Sequence, residues 1–163
     1  VRYILEKCKT TEEAIAAIKI LPIASQQTIT LADKNGHIAV VECNCEKVVV
    51  ITPKAGEDFV STANNFNTTE MECYKNTEID DWRSCDRYET TKNALANNKD
   101  KYSLDFAMNL LGGKYGFMCQ YDRKTNADTV WSVVYDLKNN QIWRVEGNPG
   151  RKKFKEDIRF KIK

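Results

Sequence analysis

The 163 residues carry 25 Lys+Arg against 23 Asp+Glu, for a net charge of +2, and are 42% hydrophobic and 29% charged. That balance fits an ordinary soluble globular chain of single-domain length and is too even to imply a nucleic-acid partner. No apolar run approaches the ~20 residues of a membrane span, and nothing at the start resembles a signal peptide. The expected setting is therefore cytoplasmic, unless a leader lies upstream of Val1.

Along the chain, Thr10 and Glu13 in "TTEEAIAAIKIL" form a capping-box pattern, and Ala14, Ile15, Ile18 and Leu21 recur at helical spacing before Pro22. Cys8 lies on the approach to this helix. "TITLADKNGHIAVVECN" places two β-rich runs around Asn35-Gly36 and predicts a hairpin. Asp33 beside that turn reads as a turn former, because "DKNG" lacks the rest of a calcium loop. Cys43 and Cys45, two apart on the expected strand, should share a face. "KVVVITPKAG" and "DFVSTA" predict two more strands, punctuated by Pro53 and Gly56.

The period then changes. "DDWRSCDRYETTKNALANN" predicts a helix with Trp82, Cys85, Tyr88 and Leu95 near one face and Asp80 or Asp81 as its cap. "YSLDFAMNLLGG" predicts another, capped by Ser103 and ended by Gly112-Gly113. The tail returns to strands: "TVWSVVYDL", a turn at Asn139-Asn140, "QIWRVEG", and the basic "RKKFKEDIRFKIK". In the last, Ile158, Phe160 and Ile162 alternate with Arg159, Lys161 and Lys163, the pattern of a half-buried strand. Helix, four strands, two helices and three strands suggest a layered α+β fold of antiparallel sheets with outer helices.

Six cysteines are too sparse for a disulfide scaffold and read as reduced, mostly buried thiols. With one histidine, His37, and no second CxxC-like pair, a zinc site is not supported. P-loop and glycine-rich dinucleotide spacings are absent, so no cofactor is expected. His37 sits beside the hairpin turn, with no partner for a Ser/His/Asp arrangement identifiable in the sequence. What remains is the amide cluster "ANNF", the helix-start "SCDR" and the polar strand "LADKNGHIAVVE".

These stretches, with "RYILEKCKTTEEAIAAI" and "TVWSVVYDLKNNQIWRVEG", stand in the order seen in the linear amide C–N hydrolases. The chain thus resembles the group that joins choloylglycine hydrolases and penicillin V acylases with the acyl-CoA:6-aminopenicillanate acyltransferases. The resemblance covers essentially the whole chain but only the later part of the family's sequence. It implies an αββα N-terminal nucleophile hydrolase, in which an N-terminal cysteine attacks a linear amide and its own α-amine serves as base. Asn64 of "ANNF" matches the asparagine that helps form the oxyanion hole, with Ala63 where relatives often have threonine. Arg87 of "SCDR" matches the arginine beside the nucleophile, where a guanidinium favours thiolate. Ser84, one helical turn earlier, is expected to orient it. Asn65 and Asn67 read as loop formers, Asp33 and Glu42 as structural, and the Asn67-Thr68-Thr69 sequon as chance.

Because the chain starts with Val1, the resemblance implies that the nucleophile is not in it. The 163 residues then form one domain, the C-terminal part of a cysteine amidohydrolase or acyltransferase that is inactive alone. Its expected partners are an acylated small-molecule amide and the missing N-terminal half, without membrane or metal, and by analogy a homo-oligomer. The alternative is a non-catalytic domain that binds a small molecule or a protein and has kept the fold.

Overall fold

The computed structural model describes residues 1–75, 78 and 82–159, and its chain divides into two compact units, Val1–Tyr88 and Glu89–Lys163. In the first, helices α1 (Arg2–Lys7) and α2 (Thr11–Ile20) precede a three-stranded antiparallel sheet, β1 (Gln27–Ala32), β2 (Ile38–Cys43) and β3 (Val48–Ile51), in the order β1-β2-β3. The Thr10 half of the capping box forms as the sequence suggests, with Thr10 Oγ1 accepting from Glu13 N at 3.2 Å, while Glu13 Oε2 reaches past the cap and accepts from Lys9 N at 2.6 Å. The hairpin turns at Asn35-Gly36, with Gly36 at φ +88°, a left-handed angle that glycine adopts without steric cost.

Register puts Ile29 opposite Val41 and Leu31 opposite Ala39, with Val50 opposite Val41 on the other side. Ile4, Ala14, Ile18, Leu31, Val41 and Cys43 form the core between the helices and one face of the sheet. Full burial of a side chain such as Ile18 contributes ~1.5–3 kcal/mol. Glu42 points to the opposite face of β2 and is fully buried there beneath residues 66–71, where Phe66 and Met71 are also buried.

Four expectations for this unit are corrected. Residues 58–63, "DFVSTA", form no strand and do not join the sheet, since β-rich composition makes a strand only where a neighbouring edge takes up its ladder. Cys43 and Cys45 do not share a face. Asn44 Oδ1 accepts from Glu46 N (2.9 Å) and Lys47 N (2.8 Å), turning the chain so that Cys43 is buried and Cys45 exposed. The six thiols are all free, but Cys45, Cys73 and Cys85 are exposed, so they are not mostly buried. His37 does have partners: its Nδ1 lies 3.3 Å from Glu12 and 3.4 Å from Asp33.

Helix α3 (Ser84–Ala96) leads into the second unit, which holds α4 (Leu104–Leu111) and a second antiparallel sheet, β4 (Trp131–Asp136), β5 (Gln141–Glu146) and β6 (Lys155–Glu156). Ser103 caps α4 by accepting from Phe106 N at 3.1 Å. Phe106 and Leu110 pack with Ala94 of α3. A buried amide organises the loops: Asn148 Nδ2 donates to the Cys119 carbonyl (2.5 Å) and Asp128 (2.8 Å), while its Oδ1 accepts from Gly150 N (2.9 Å). The whole is an α+β arrangement of helices and two antiparallel sheets.

The face expected of α3 is also corrected. Trp82 precedes the helix and Cys85 points to solvent, while the most buried positions of the helix are Ser84 and Ala94, since close packing there favours small side chains. Asp80 and Asp81 lie outside the described residues, as do Phe160, Lys161, Ile162 and Lys163. Among its described residues the basic tail forms only the two-residue β6. The Asp157 carboxylate, bonded by Arg159 N (3.2 Å), Nε (2.8 Å) and Nη2 (2.7 Å), closes a turn that leaves Ile158 80% exposed.

Candidate active site

The site lies in the first unit, where the loop after "DFVSTA" meets the first turn of α3. Glu42 anchors that loop from below. Its two oxygens accept from Asn67 N (2.5 Å), Thr68 N (3.1 Å) and Thr68 Oγ1 (2.6 Å), so both are bonded by the loop's own donors. Asn67 Nδ2 donates to the Asn65 carbonyl at 3.1 Å and tightens the same loop.

Ser84, with 0% of its surface exposed, joins the loop to the helix. Its hydroxyl accepts from Asn64 N at 2.7 Å and donates to Asn65 Oδ1 at 2.9 Å, using donor and acceptor capacity together. Asn65 Nδ2 donates in turn to Cys85 Sγ at 3.3 Å. Arg87, one turn along α3, donates from Nη2 to Asn64 Oδ1 (3.1 Å) and from Nε to the Trp82 carbonyl (3.1 Å).

This geometry fixes which way the Asn64 amide faces. A guanidinium has donors only, so the Asn64 oxygen turns to Arg87 and Nδ2 is left as the donor, with no acceptor among the described residues. Asn64 is exposed, so Nδ2 is open to an incoming group. The chain enters α3 through Trp82 and Arg83, both at φ +56°. Two successive bulky residues in this region cost of order 1–3 kcal/mol each, and the conformation aims the Trp82 carbonyl at Arg87.

The structure thus brings Asn64, Ser84 and Arg87 together. Ser84 bonds the asparagine loop directly. The sequence reading missed the side-chain links of Asn65 to Ser84 and Cys85, and the full anchoring by Glu42; an acid in a run as apolar as "IAVVEC" is the signal that could have found the second. A cleft of about 620 Å³ opens elsewhere, in the second unit. Arg144, Lys152, Lys153, Lys155 and Arg159 outnumber Glu146, Glu156 and Asp157 and make it basic, and its lining contains no cysteine, serine, threonine or amide side chain.

No helix among the described residues is long and apolar enough to cross a membrane. Neither a curated protein nor a solved structure matches the chain. The sequence profile of the acyl-coenzyme A:6-aminopenicillanic acid acyl-transferase family matches residues 1–151, and the chain belongs to that family.

Proposed function

We propose that this chain supplies the oxyanion-binding and thiolate-stabilising part of a cysteine N-terminal nucleophile enzyme that cleaves a linear amide C–N bond through an acyl-enzyme. The observation that carries the reading is the Arg87–Asn64 contact at 3.1 Å, which commits Asn64 Nδ2 to donation. The nucleophile is a cysteine outside these 163 residues. Its α-amine, with an ordinary pKa of ~8, takes the thiol proton as sulfur bonds to the amide carbon. Negative charge then develops on the carbonyl oxygen, and Asn64 Nδ2 donates to it. Collapse breaks the C–N bond, the ammonium returns its proton to the leaving nitrogen, and the acyl group stays on sulfur. Water as the second nucleophile completes hydrolysis, and an amine completes acyl transfer.

Arg87 has two effects. It holds the Asn64 amide, and its fixed positive charge favours thiolate over thiol at a cysteine brought against it. Ser84 holds the loop main chain, so that Asn64 enters the reaction already oriented. The test is steady-state kinetics of Asn64→Ala in the natural full-length protein with acyl amides. Loss of one oxyanion donor lowers kcat by ~10²–10³ with KM little changed. A kcat within a few-fold of wild type contradicts the assignment and favours a domain that binds without catalysing.

A further inference from the structure

Glu12 near the start of α2 and Asp33 and His37 of the β1–β2 loop bring a carboxylate oxygen, a second carboxylate oxygen and an imidazole nitrogen within 4.8 Å of one another. His37 Nδ1 stands 3.3 Å from Glu12 Oε1 and 3.4 Å from Asp33 Oδ2. Both separations exceed the ~2.7–2.9 Å of a charge-assisted hydrogen bond. They match the ~3.3–3.4 Å between two donors that surround a tetrahedral ion at the ~2.0–2.1 Å typical of zinc. The third edge, between the two carboxylates, also lies within 4.8 Å, and Glu12 is exposed on the helix.

The surroundings are those of a metal ligand set. Asp33, whose side chain is only 5% exposed, is oriented by main-chain donors: Thr11 N on Oδ2 (3.0 Å), Asn35 N (2.8 Å) and His37 N (3.3 Å) on Oδ1. The same Oδ2 faces His37 Nδ1 at 3.4 Å. Thr11 Oγ1 donates to the His37 carbonyl at 3.1 Å, holding the loop to the helix. Such outer contacts set the direction of ligating side chains. Among the described residues neither carboxylate has a lysine or arginine ion-pair partner, so two negative charges face one imidazole.

We propose that Glu12, Asp33 and His37 bind a borderline divalent transition ion, with Zn²⁺ as the representative, three protein donors and water completing the tetrahedron. The ion clips α2 to the β1–β2 loop. Its place is structural, since none of the three ligands belongs to the Asn64–Ser84–Arg87 cluster.

The test is titration of the metal-free protein with Co²⁺ and Zn²⁺, read by calorimetry, the visible d–d absorption of four-coordinate Co²⁺, and thermal unfolding. One equivalent should bind, with the intense absorption of a tetrahedral site, and Zn²⁺ should raise Tm by mass action. His37→Ala and Glu12→Gln each remove a ligand at an exposed position and should weaken binding by more than the ~10–100-fold that loss of an orienting partner causes. Absence of binding overturns the site. So does binding unchanged in either variant, or a thiolate-to-cobalt charge-transfer band, which would move the metal to the cysteines.

Discussion

The two sheets have the same size and the same antiparallel order, yet they are buried differently. In the first, Ala39 through Cys43 of β2 are all closed off from solvent, because α2 covers one face and residues 66–71 cover the other. In the second, Val145 alone is fully buried on β5, and β4 shows Trp131 and Tyr135 to water. A doubly covered strand tolerates a carboxylate only if both of its oxygens are hydrogen-bonded. Glu42 meets that condition through the loop that carries Asn64, so the burial of the first sheet is what holds the candidate site in shape.

Five substitutions, the last read against pH, sharpen this contrast. Glu42→Ala strands three donors of the loop and should cost about 3–4 kcal/mol in urea unfolding; Glu156→Ala on the wet second sheet should stay within ~0.5 kcal/mol. An equal cost at the two positions would break the comparison. Ser84→Ala removes the partner of Asn64 N and Asn65 Oδ1 and should cost about 1–3 kcal/mol, with faster amide exchange in the 64–68 loop as its local signature.

Trp131→Ala removes a ring that Arg144 covers at 4.8 Å on the exposed face, and the lost cation–π contact accounts for only ~0.5–1 kcal/mol. Acid acts on the first unit through Asp33, whose carboxyl is held down at about 2, chiefly by the Thr11 backbone N–H. A depressed pKa gives stability that is full above the unfolded value of ~3.9 and lost as pH falls through the folded one. Metal-free wild type should therefore lose Tm between about pH 4 and pH 2 by more than Asp33→Asn does. Parallel curves for the two proteins would remove Asp33 from the account.

Local signals in the sequence carried much of the fold. The Thr10 cap, the Asn35-Gly36 turn and the Ser103 cap each act within a few residues, and each forms as read. The failures are those that tertiary context decides. "DFVSTA" has strand composition but no ladder partner in the sheet, and Asn44 redirects "ECNCE" through side-chain bonds that no periodicity encodes. His37 acquires Glu12 as a neighbour, 25 residues away in sequence, only because α2 folds back onto the hairpin loop. At the candidate site, resemblance named Asn64, Ser84 and Arg87. That Ser84 bonds the loop, and that the guanidinium holds the Asn64 oxygen, are facts of packing.

The central claim is that Arg87 acts in part through Asn64, by holding its amide as a donor. A double-mutant cycle on kcat/KM in the natural full-length protein, with Asn64→Ala, Arg87→Ala and the pair, measures this directly. Groups in one hydrogen-bonded unit couple by ~0.5–3 kcal/mol, so the pair should lose clearly less than the product of the single losses. Strictly multiplicative losses would mean that the two side chains act independently and would contradict the account.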